Sequence, residues 1–183
     1  MVEAHSALET EVDSLQAIFH RILQLQLSYS KDNTHEMQER GRLIRKVAPP
    51  LLAELLPSAV DLDPADLTVE GRDGTGLKTR VPWVRVYSTS RSPSATKGWY
   101  VVYLFSSDGS AVYLSLNQGT TTAQGGAFKG RSTEFLEQRV TWARKILQDQ
   151  LESLDSDELD LADPGALGGG YEKGDVVSKA VSG

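Results

Sequence analysis

Two kinds of hydrophobic spacing divide the chain into helical ends and a strand-rich middle. Near the N-terminus, apolar positions four and three residues apart predict an amphipathic helix over residues 6–27; they are Leu8, Val12, Leu15, Phe19 and Ile22. Asn33 or Thr34 can cap a second helix, which we expect to end before Pro49-Pro50 because the residue preceding a proline disfavours helical geometry. A short apolar helix closed by Pro57 follows.

From Leu67 the spacing changes to the alternation that is typical of strands. The segments "LTVEG", "VPWVRVYS", "WYVVYLFS" and "AVYLSLNQ" predict four strands, and the last two read as a hairpin joined by "SDGS". Asp108-Gly109 favours a type I′ turn, in which both central residues need positive φ. The next segment, "GTTTAQGGAFKGRS", is interpreted as a flexible loop.

The C-terminal part combines a helix, a connector and a last strand. Ser132 or Thr133 can cap a helix over 132–151, an acidic and glycine-rich connector covers 152–170, and "YEKGDVVSKAV" predicts a strand over 171–181 that docks on the sheet. We therefore predict one α+β domain over 1–183, with a helical part at 1–57 and the sheet at 67–120. Its central, mostly antiparallel, curved β-sheet has the N-terminal helices and the long C-terminal helix packed around it.

Length and composition narrow the class of protein. The 183 residues suffice for one substantial core. The absence of cysteine excludes disulfides, thiolate catalysis and cysteine-ligated metals. The N-terminus has no signal-peptide pattern and no run is long enough to span a membrane, so we expect a cytoplasmic protein without a membrane partner.

Charge is unevenly distributed along the chain. The net charge is −6, yet the segment from Asp66 to Arg131 holds eight basic and four acidic residues, which gives +4. The segment from Leu147 to Asp163 holds seven acidic residues and no lysine or arginine. A local basic face on an acidic protein is therefore possible, and phosphate contacts need only such a face.

The sequence contains no complete catalytic or cofactor-binding motif. "GRDGTG" and "GGAFKGRS" contain glycines and a lysine but lack the spacing of dinucleotide or Walker motifs. The three histidines, His5, His20 and His35, lack metal-ligand spacing, and no serine lies in a nucleophile motif. We expect no catalytic residues, no metal and no cofactor.

The stretch from Val81 to Thr120 combines aromatic strands with a loop rich in serine and threonine that carries Arg91 and Lys97. Aromatic residues in strands are in general more often core residues than ligand contacts. Their position beside a cationic, hydroxyl-rich loop nevertheless indicates a ligand, such as a nucleobase with its phosphates.

Four segments resemble a known family: "YSKDNTHEMQERGRLIR", "VPWVRVY", "KGWYVVYLFSSDGSAVYLSLNQGT" and "GYEKGDVV". In this order they are similar to the N-terminal DNA-recognition domain of McrB-type modification-dependent restriction systems, the MrcB-like N-terminal domain family. The resemblance covers about residues 29–177. It implies a module that binds duplex DNA, flips a modified base such as methylated or hydroxymethylated cytosine, and holds it in an aromatic pocket.

The resemblance also implies the site and its partners. The walls of the base pocket carry over to Trp83, Tyr100 and Leu104, with Tyr171 as a further aromatic wall. Independently of the resemblance, the position of several cations in the loops suggests phosphate contacts; these residues are Arg80, Arg91, Lys97, Lys129 and Arg131. Nuclease activity would belong to another domain or subunit, HNH-type or motor-coupled. Two alternatives remain open: a DNA-modifying or DNA-cleaving enzyme, and a protein-interaction module whose aromatic patch binds a peptide.

Overall fold

A computed structural model describes residues 2–59, 63–74, 76–124, 127–151, 160–162 and 175–181. Within these residues the chain forms four α-helices: α1 (Val2–Gln26), α2 (His35–Arg42), α3 (Ala48–Ala59) and α4 (Thr133–Leu151). It also forms seven strands: β1 (Leu67–Arg72), β2 (Trp83–Ser88), β3 (Trp99–Phe105), β4 (Ala111–Gln118), β5 (Thr121–Gln124), β6 (Ala127–Gly130) and β7 (Asp175–Val181).

Five of the strands form one sheet in the order β1-β2-β3-β4-β7, and every neighbouring pair is antiparallel. The first four strands follow the chain order, so the sheet is a meander to which β7 is added at one edge. Helices α1, α2 and α3 precede these strands in the sequence, and α4 lies between β4 and β7. The predicted α+β class with an antiparallel sheet is confirmed.

Side chains alternate between the two faces of the sheet, and we call the face covered by the N-terminal helices the helix face. Val84, Phe105 and Val112 lie on it in one buried cluster with residues of α1, the turn after α2, and α3. The helical members of this cluster are Ile22, Leu23, Leu25, Leu43, Ile44, Ala48 and Leu52. Phe19 of α1 contacts the ring of Phe105 edge-on, with 5.2 Å between centroids. Apolar burial on this face supplies most of the stabilisation that the fold can derive from its core.

The expectation that helical geometry stops before Pro49-Pro50 was wrong. Thr34 caps α2, but the chain continues through a π-helical turn, Leu43–Val47, directly into α3. The amide N–H of Ala48 donates to the carbonyl of Leu43, five residues back. A proline has no N–H to donate to the preceding turn. The two prolines are tolerated because they follow this wide turn and occupy the first turn of α3.

Two turns also differ from the sequence interpretation. The hairpin between β3 and β4 forms, but Asp108 does not have positive φ, so the turn is not type I′; Gly109 alone supplies the left-handed residue, at φ +73°. The Asp108 carboxylate instead accepts hydrogen bonds from the amide and hydroxyl of Ser110. The expected flexible loop after β4 contains a two-stranded hairpin, β5-β6.

Candidate nucleic-acid interface

The face of the sheet opposite the helix face, here called the open face, carries polar and aromatic side chains on β1, β2 and β3. Strand alternation and the antiparallel register place Trp83, Arg85 and Tyr87 there, with Glu70 directly across from Arg85. A second buried cluster underlies part of this face, and none of its members belongs to a helix; they are Val81, Val102, Leu104, Ala111, Tyr113 and Leu161.

A groove with a volume of about 670 Å³ runs along β2 on the open face. Its base and walls come from Glu70, Arg72, Trp83, Arg85 and Tyr87. Its rims come from two loops, one represented by Gly74, Leu77 and Thr79 and the other by Pro93, Ser94 and Ala95. The volume lies within the range of about 300–1,000 Å³ that is usual for small-ligand sites.

Arg85 and Glu70 form an ion pair in the groove. The Nε and Nη2 atoms of Arg85 donate to Glu70 Oε2 at 3.0 and 2.7 Å. Arg72 donates from Nε to the other oxygen, Oε1, at 2.6 Å. Partial burial alone would raise the pKa of Glu70, but the hydrogen bond from Arg85 and the charges of both arginines outweigh it and lower that pKa. Glu70 is therefore a carboxylate with two cationic partners.

Arg85 is also enclosed by aromatic rings. Its guanidinium carbon lies 3.9 Å from the centroid of the Tyr87 ring and 5.5 Å from that of Tyr100. Only 4% of Arg85 is exposed, although it lines the groove. In the part of the chain that the structure describes, its Nη1 atom is buried and has no hydrogen-bond partner. Arg85, which lines the groove, therefore has one unpaired hydrogen-bond donor, Nη1.

The first rim is attached to the helices by a buried ionic network centred on Asp73, which is 1% exposed. Arg40 of α2, fully buried, donates from Nε to Asp73 Oδ1 at 2.8 Å, and Lys78 donates to Oδ2 at 2.7 Å. Arg40 also donates to the carbonyl of Thr79 at 2.9 Å and to the side chain of Gln26. Because each partner is fixed by another, Asp73, Lys78 and Thr79 are held in place on the side of the groove that lies beside Trp83.

The second rim is the loop between β2 and β3, which folds around Asp66. The Asp66 carboxylate accepts hydrogen bonds from the hydroxyls of Ser88 and Thr89 and from the amide and hydroxyl of Ser90. The bond from Ser88, then those from Thr89 and Ser90, hold the pKa of Asp66 well below its usual range. Gly98 closes the loop at φ +72°, where a Cβ would lie 2.5 Å from the carbonyl oxygen of Arg91.

The structure places the predicted pocket residues at different depths. Trp83 lines the groove and is partly buried. Tyr100 lies behind the second rim, where its hydroxyl donates to the carbonyl of Ala95 at 3.3 Å, and burial raises its pKa against the opposing charge of Arg85. Leu104 pairs with Trp83 in register but is fully buried in the second cluster, against which Trp83 packs, and it does not line the groove. Tyr171 lies outside the described residues.

The predicted phosphate contacts fall into two groups by exposure: four are exposed, and one, Arg131, is partly buried. Arg91 and Lys97 are exposed on the second rim, and Lys129 is exposed on β6. Arg131 is partly buried and donates to the carbonyls of Gly119 and Thr96, at 3.0 and 3.4 Å, so it also joins the β5-β6 hairpin to the second rim. Arg80, exposed beside the first rim, lies over the ring of Tyr29 at 4.8 Å. Exposed cations therefore flank both sides of the groove.

A second aromatic surface lies on α4, away from the groove. Trp99 and Trp142 stack with 6.4 Å between centroids, and Arg139 lies over Trp99 at 5.0 Å. Trp142 is 56% exposed. The Arg139 Nε donates to Gln118 Oε1 at 2.6 Å, which attaches the helix to the end of β4. This surface has arginine and aromatic partners like those of the groove, but it has no buried donor left unpaired among its described residues.

Four residues of the base and walls of the groove were not identified from the sequence; they are Glu70, Arg72, Arg85 and Tyr87. Strand alternation from Trp83 could have placed Arg85 and Tyr87 on the face of that tryptophan. The position of Glu70 depends on the register between β1 and β2, which separate segments of sequence do not specify.

In the part of the chain that the structure describes, no group of three metal-ligating side chains occurs, and no helix is long and apolar enough to cross a bilayer.

Comparisons with known proteins show the family of the chain. Neither the search of curated proteins nor the search of solved structures found a match. The sequence model of the MrcB-like N-terminal domain matches residues 24–182, which is nearly the whole chain. The chain therefore belongs to the MrcB-like N-terminal domain family.

Proposed function

We propose that this chain is a DNA-recognition module that reads a modified base in duplex DNA by extruding the base into the groove of the open face. Membership of the family fits a DNA-recognition role in restriction systems. Beyond this role, we propose that the groove is the base site and that the base leaves the duplex to enter it. Its biological purpose is to target a nuclease that is carried on another domain or subunit, of HNH type or coupled to a motor.

The observation that carries the proposal is the groove beside Trp83. An extruded base loses its stacking partners, which costs a few kcal/mol, and an aromatic ring restores about 1–3 kcal/mol of this. Trp83 is partly buried on a strand, follows Pro82, and lies beside a rim fixed through Asp73. A preorganised indole of this kind needs little ordering when the base enters.

Phosphate contacts would come from the rims. Arg91 and Lys97 on one side and Arg80 on the other are exposed, and they flank the groove at which the extruded base would enter. Contacts of this type orient the duplex without reading its sequence. The acidic net charge of −6 does not oppose them, because the segment that contains the rims is locally basic.

The proposal is tested by equilibrium binding to one duplex sequence in five forms: unmodified, or carrying 5-methylcytosine, 5-hydroxymethylcytosine, N4-methylcytosine or N6-methyladenine. We expect at least one modified form to bind tighter than the unmodified form. A fluorescent base analogue next to the target should brighten on binding, since its neighbour leaves the stack. Equal affinity for all five duplexes would contradict base reading, while selective binding of aromatic peptides would favour a protein-interaction module.

We further propose that the chain is not itself an enzyme. The sequence offers no nucleophile motif or nucleotide-binding motif. Purified protein incubated with modified plasmid, magnesium or manganese, and ATP or GTP should neither nick DNA nor release phosphate. Cleavage that follows the protein peak through purification, and is lost when the Trp83→Ala variant replaces it, would assign the activity to this chain.

A further inference from the structure

Arg85 carries a buried hydrogen-bond donor for which the described protein provides no acceptor. It is 4% exposed, and Nε and Nη2 are both used by Glu70, but Nη1 has no partner. Buried polar atoms in folded proteins are nearly always paired, because leaving one unpaired forfeits its hydration without compensation. Nη1 has almost no exposed surface in the free protein, so an acceptor reaches it only when the Arg85 side chain, which lines the groove, turns toward a ligand.

The ion pair with Glu70 does not use all the hydrogen-bond donors of Arg85. Glu70 already has Arg72, which contacts Oε1 through Nε and Nη2 at 2.6 and 2.5 Å. One carboxylate thus serves two guanidinium groups, and the groove contains more donor capacity than acceptor capacity. A ligand that fits this groove presents acceptor atoms.

The surroundings of Arg85 favour a flat, neutral ligand over a phosphate. The guanidinium group lies over the ring of Tyr87 at 3.9 Å, so Arg85 is packed among rings at the base of the groove and is not on its exposed rim. Trp83 lies two residues from Arg85 on the same face, at a strand spacing of about 7 Å, so a base stacked on Trp83 can reach the guanidinium edge.

We propose that Arg85 is a specificity-determining residue, whose Nη1 donates a hydrogen bond to an in-plane acceptor of the extruded base, a carbonyl oxygen or an unprotonated ring nitrogen. This inference rests on the function proposed above. Cytosine and its 5-substituted derivatives present two such atoms side by side, O2 and N3. The residue then links two requirements: the base must leave the duplex to expose these acceptors, and binding satisfies a donor that is unpaired in the free protein.

The test compares wild type, Arg85→Met, Arg85→Lys and Arg21→Met on three duplexes of one sequence. The target position carries the modified base that wild type prefers, the unmodified base, or an abasic site. Arg21→Met on α1 is the matched control, because it removes the same charge and a two-bond ion pair with a carboxylate, that of Glu39, from a side chain that is 47% exposed and does not line the groove. Thermal unfolding and circular dichroism establish that each variant is folded.

We expect Arg85→Met to lose roughly 10- to 100-fold in affinity for the modified duplex, the effect of one charge-assisted hydrogen bond, and to change binding of the abasic duplex by less than about twofold. Arg85→Lys keeps the charge without the planar fork and should fall between wild type and methionine. Arg21→Met should change binding of all three duplexes by one similar, small factor.

Each other outcome overturns a defined part of the argument. Equal losses on modified and abasic duplexes would make Arg85 a phosphate contact, and an Arg85→Met variant that discriminates like wild type would leave it without a role in reading. If neither Arg85 variant folds, the residue is a structural ion pair and the inference fails. Absence of any preference in wild type would instead defeat the proposed function, which separates the two failures.

Discussion

The two faces of the sheet are built from the same strands and have opposite chemistry. On the helix face, Val84 and Phe105 are fully buried among apolar residues of α1 and α3. On the open face the alternate positions are Trp83, Arg85 and Tyr87, and they border a groove. A shift of one residue in register would exchange these sets, so the apolar face fixes where the polar face lies.

This difference separates the residues that stabilise the fold from those available for binding. Burial of apolar side chains on the helix face lowers the free energy of the folded state without requiring any partner. The open face contains an arginine whose donor is unpaired and a tryptophan that is only partly buried. Substitutions on the first face should therefore affect unfolding, and substitutions on the second should affect binding.

The largest expected effect is that of Phe105→Ala on the helix face. Phe105 is fully buried and contacts Phe19, so removal of its ring leaves a cavity and should lower the free energy of unfolding by about 3–5 kcal/mol. Urea denaturation measures the loss. Phe135→Ala, the same change at a side chain on α4 that is 38% exposed, is the control and should cost less than about 1 kcal/mol. Similar losses for the two variants would contradict the assignment of the core.

Asp73→Asn should have the second largest effect, because it removes the counter-charge of buried Arg40. Breaking a buried ion pair from one side costs about 3–5 kcal/mol, and we expect about 3 kcal/mol since asparagine keeps one acceptor. The variant also tests the open face. Because Asp73 supports the rim beside Trp83, Asp73→Asn should also reduce discrimination between modified and unmodified duplexes. The exposed cap Asp63→Asn is the control. Unchanged thermal unfolding in Asp73→Asn would show that the network is not needed.

The helices and strands were predictable from the sequence because their hydrophobic periods reflect burial directly. The helix start at Thr34 and the hairpin of β3 and β4 follow from local chemistry. The continuation of the helix through Pro49 was not predictable. The residue before a proline usually disfavours helical geometry, but here a π-helical turn precedes the prolines. The hairpin β5-β6 was missed because its glycines and threonines carry no apolar alternation.

The site was predictable only in part. The resemblance pointed to Trp83, which lines the groove, and also to Leu104, which is buried in the second cluster and does not line it. Arg85 was missed because a single arginine in a strand is usually a solvated surface charge. Its burial depends on a carboxylate 15 residues earlier and on two tyrosine rings, and these meet only through strand register. Long-range pairing of this kind is not contained in any local pattern.

Trp83→Ala should lose about 1–3 kcal/mol of binding to the preferred modified duplex and little non-specific binding, because it removes a stacking surface. Its effect on unfolding should be smaller than that of Phe105→Ala, since Trp83 is partly exposed. Fluorescence anisotropy on modified and unmodified duplexes measures the ratio. Trp142→Ala on α4 is the matched control and should leave the ratio unchanged. If the two tryptophan variants exchanged these results, the base site would lie on α4 rather than on the open face.

A smaller effect is expected for Lys97→Ala on the second rim. An exposed lysine that neutralises one phosphate contributes about 0.9 to the slope of log K against log salt, so the slope should become shallower by about that amount. Affinity for modified and unmodified duplexes should fall by the same factor, and their ratio should survive. Lys46→Ala, on the π-helical turn of the helical layer, is the control. A changed ratio would place Lys97 in base reading.

The smallest expected effect is the pH dependence of the second rim through Asp66. Hydrogen bonds from Ser88, Thr89 and Ser90 depress the pKa of Asp66 in the folded protein, whereas the unfolded value is about 3.9. A depressed folded pKa means that the carboxylate stabilises the fold above the unfolded pKa, and that this contribution disappears as the pH falls through the folded pKa.

Asp66→Asn should therefore be slightly less stable than wild type at pH 7, and the difference should shrink as the pH is lowered below about 4. Unfolding curves of both proteins between pH 7 and pH 3 measure this. The loop that Asp66 holds also rims the groove, so the variant should weaken discrimination between duplexes at pH 7 more visibly than it weakens the fold. A stability difference that stays constant over this pH range would show that the asparagine acts through packing and not through the lost charge.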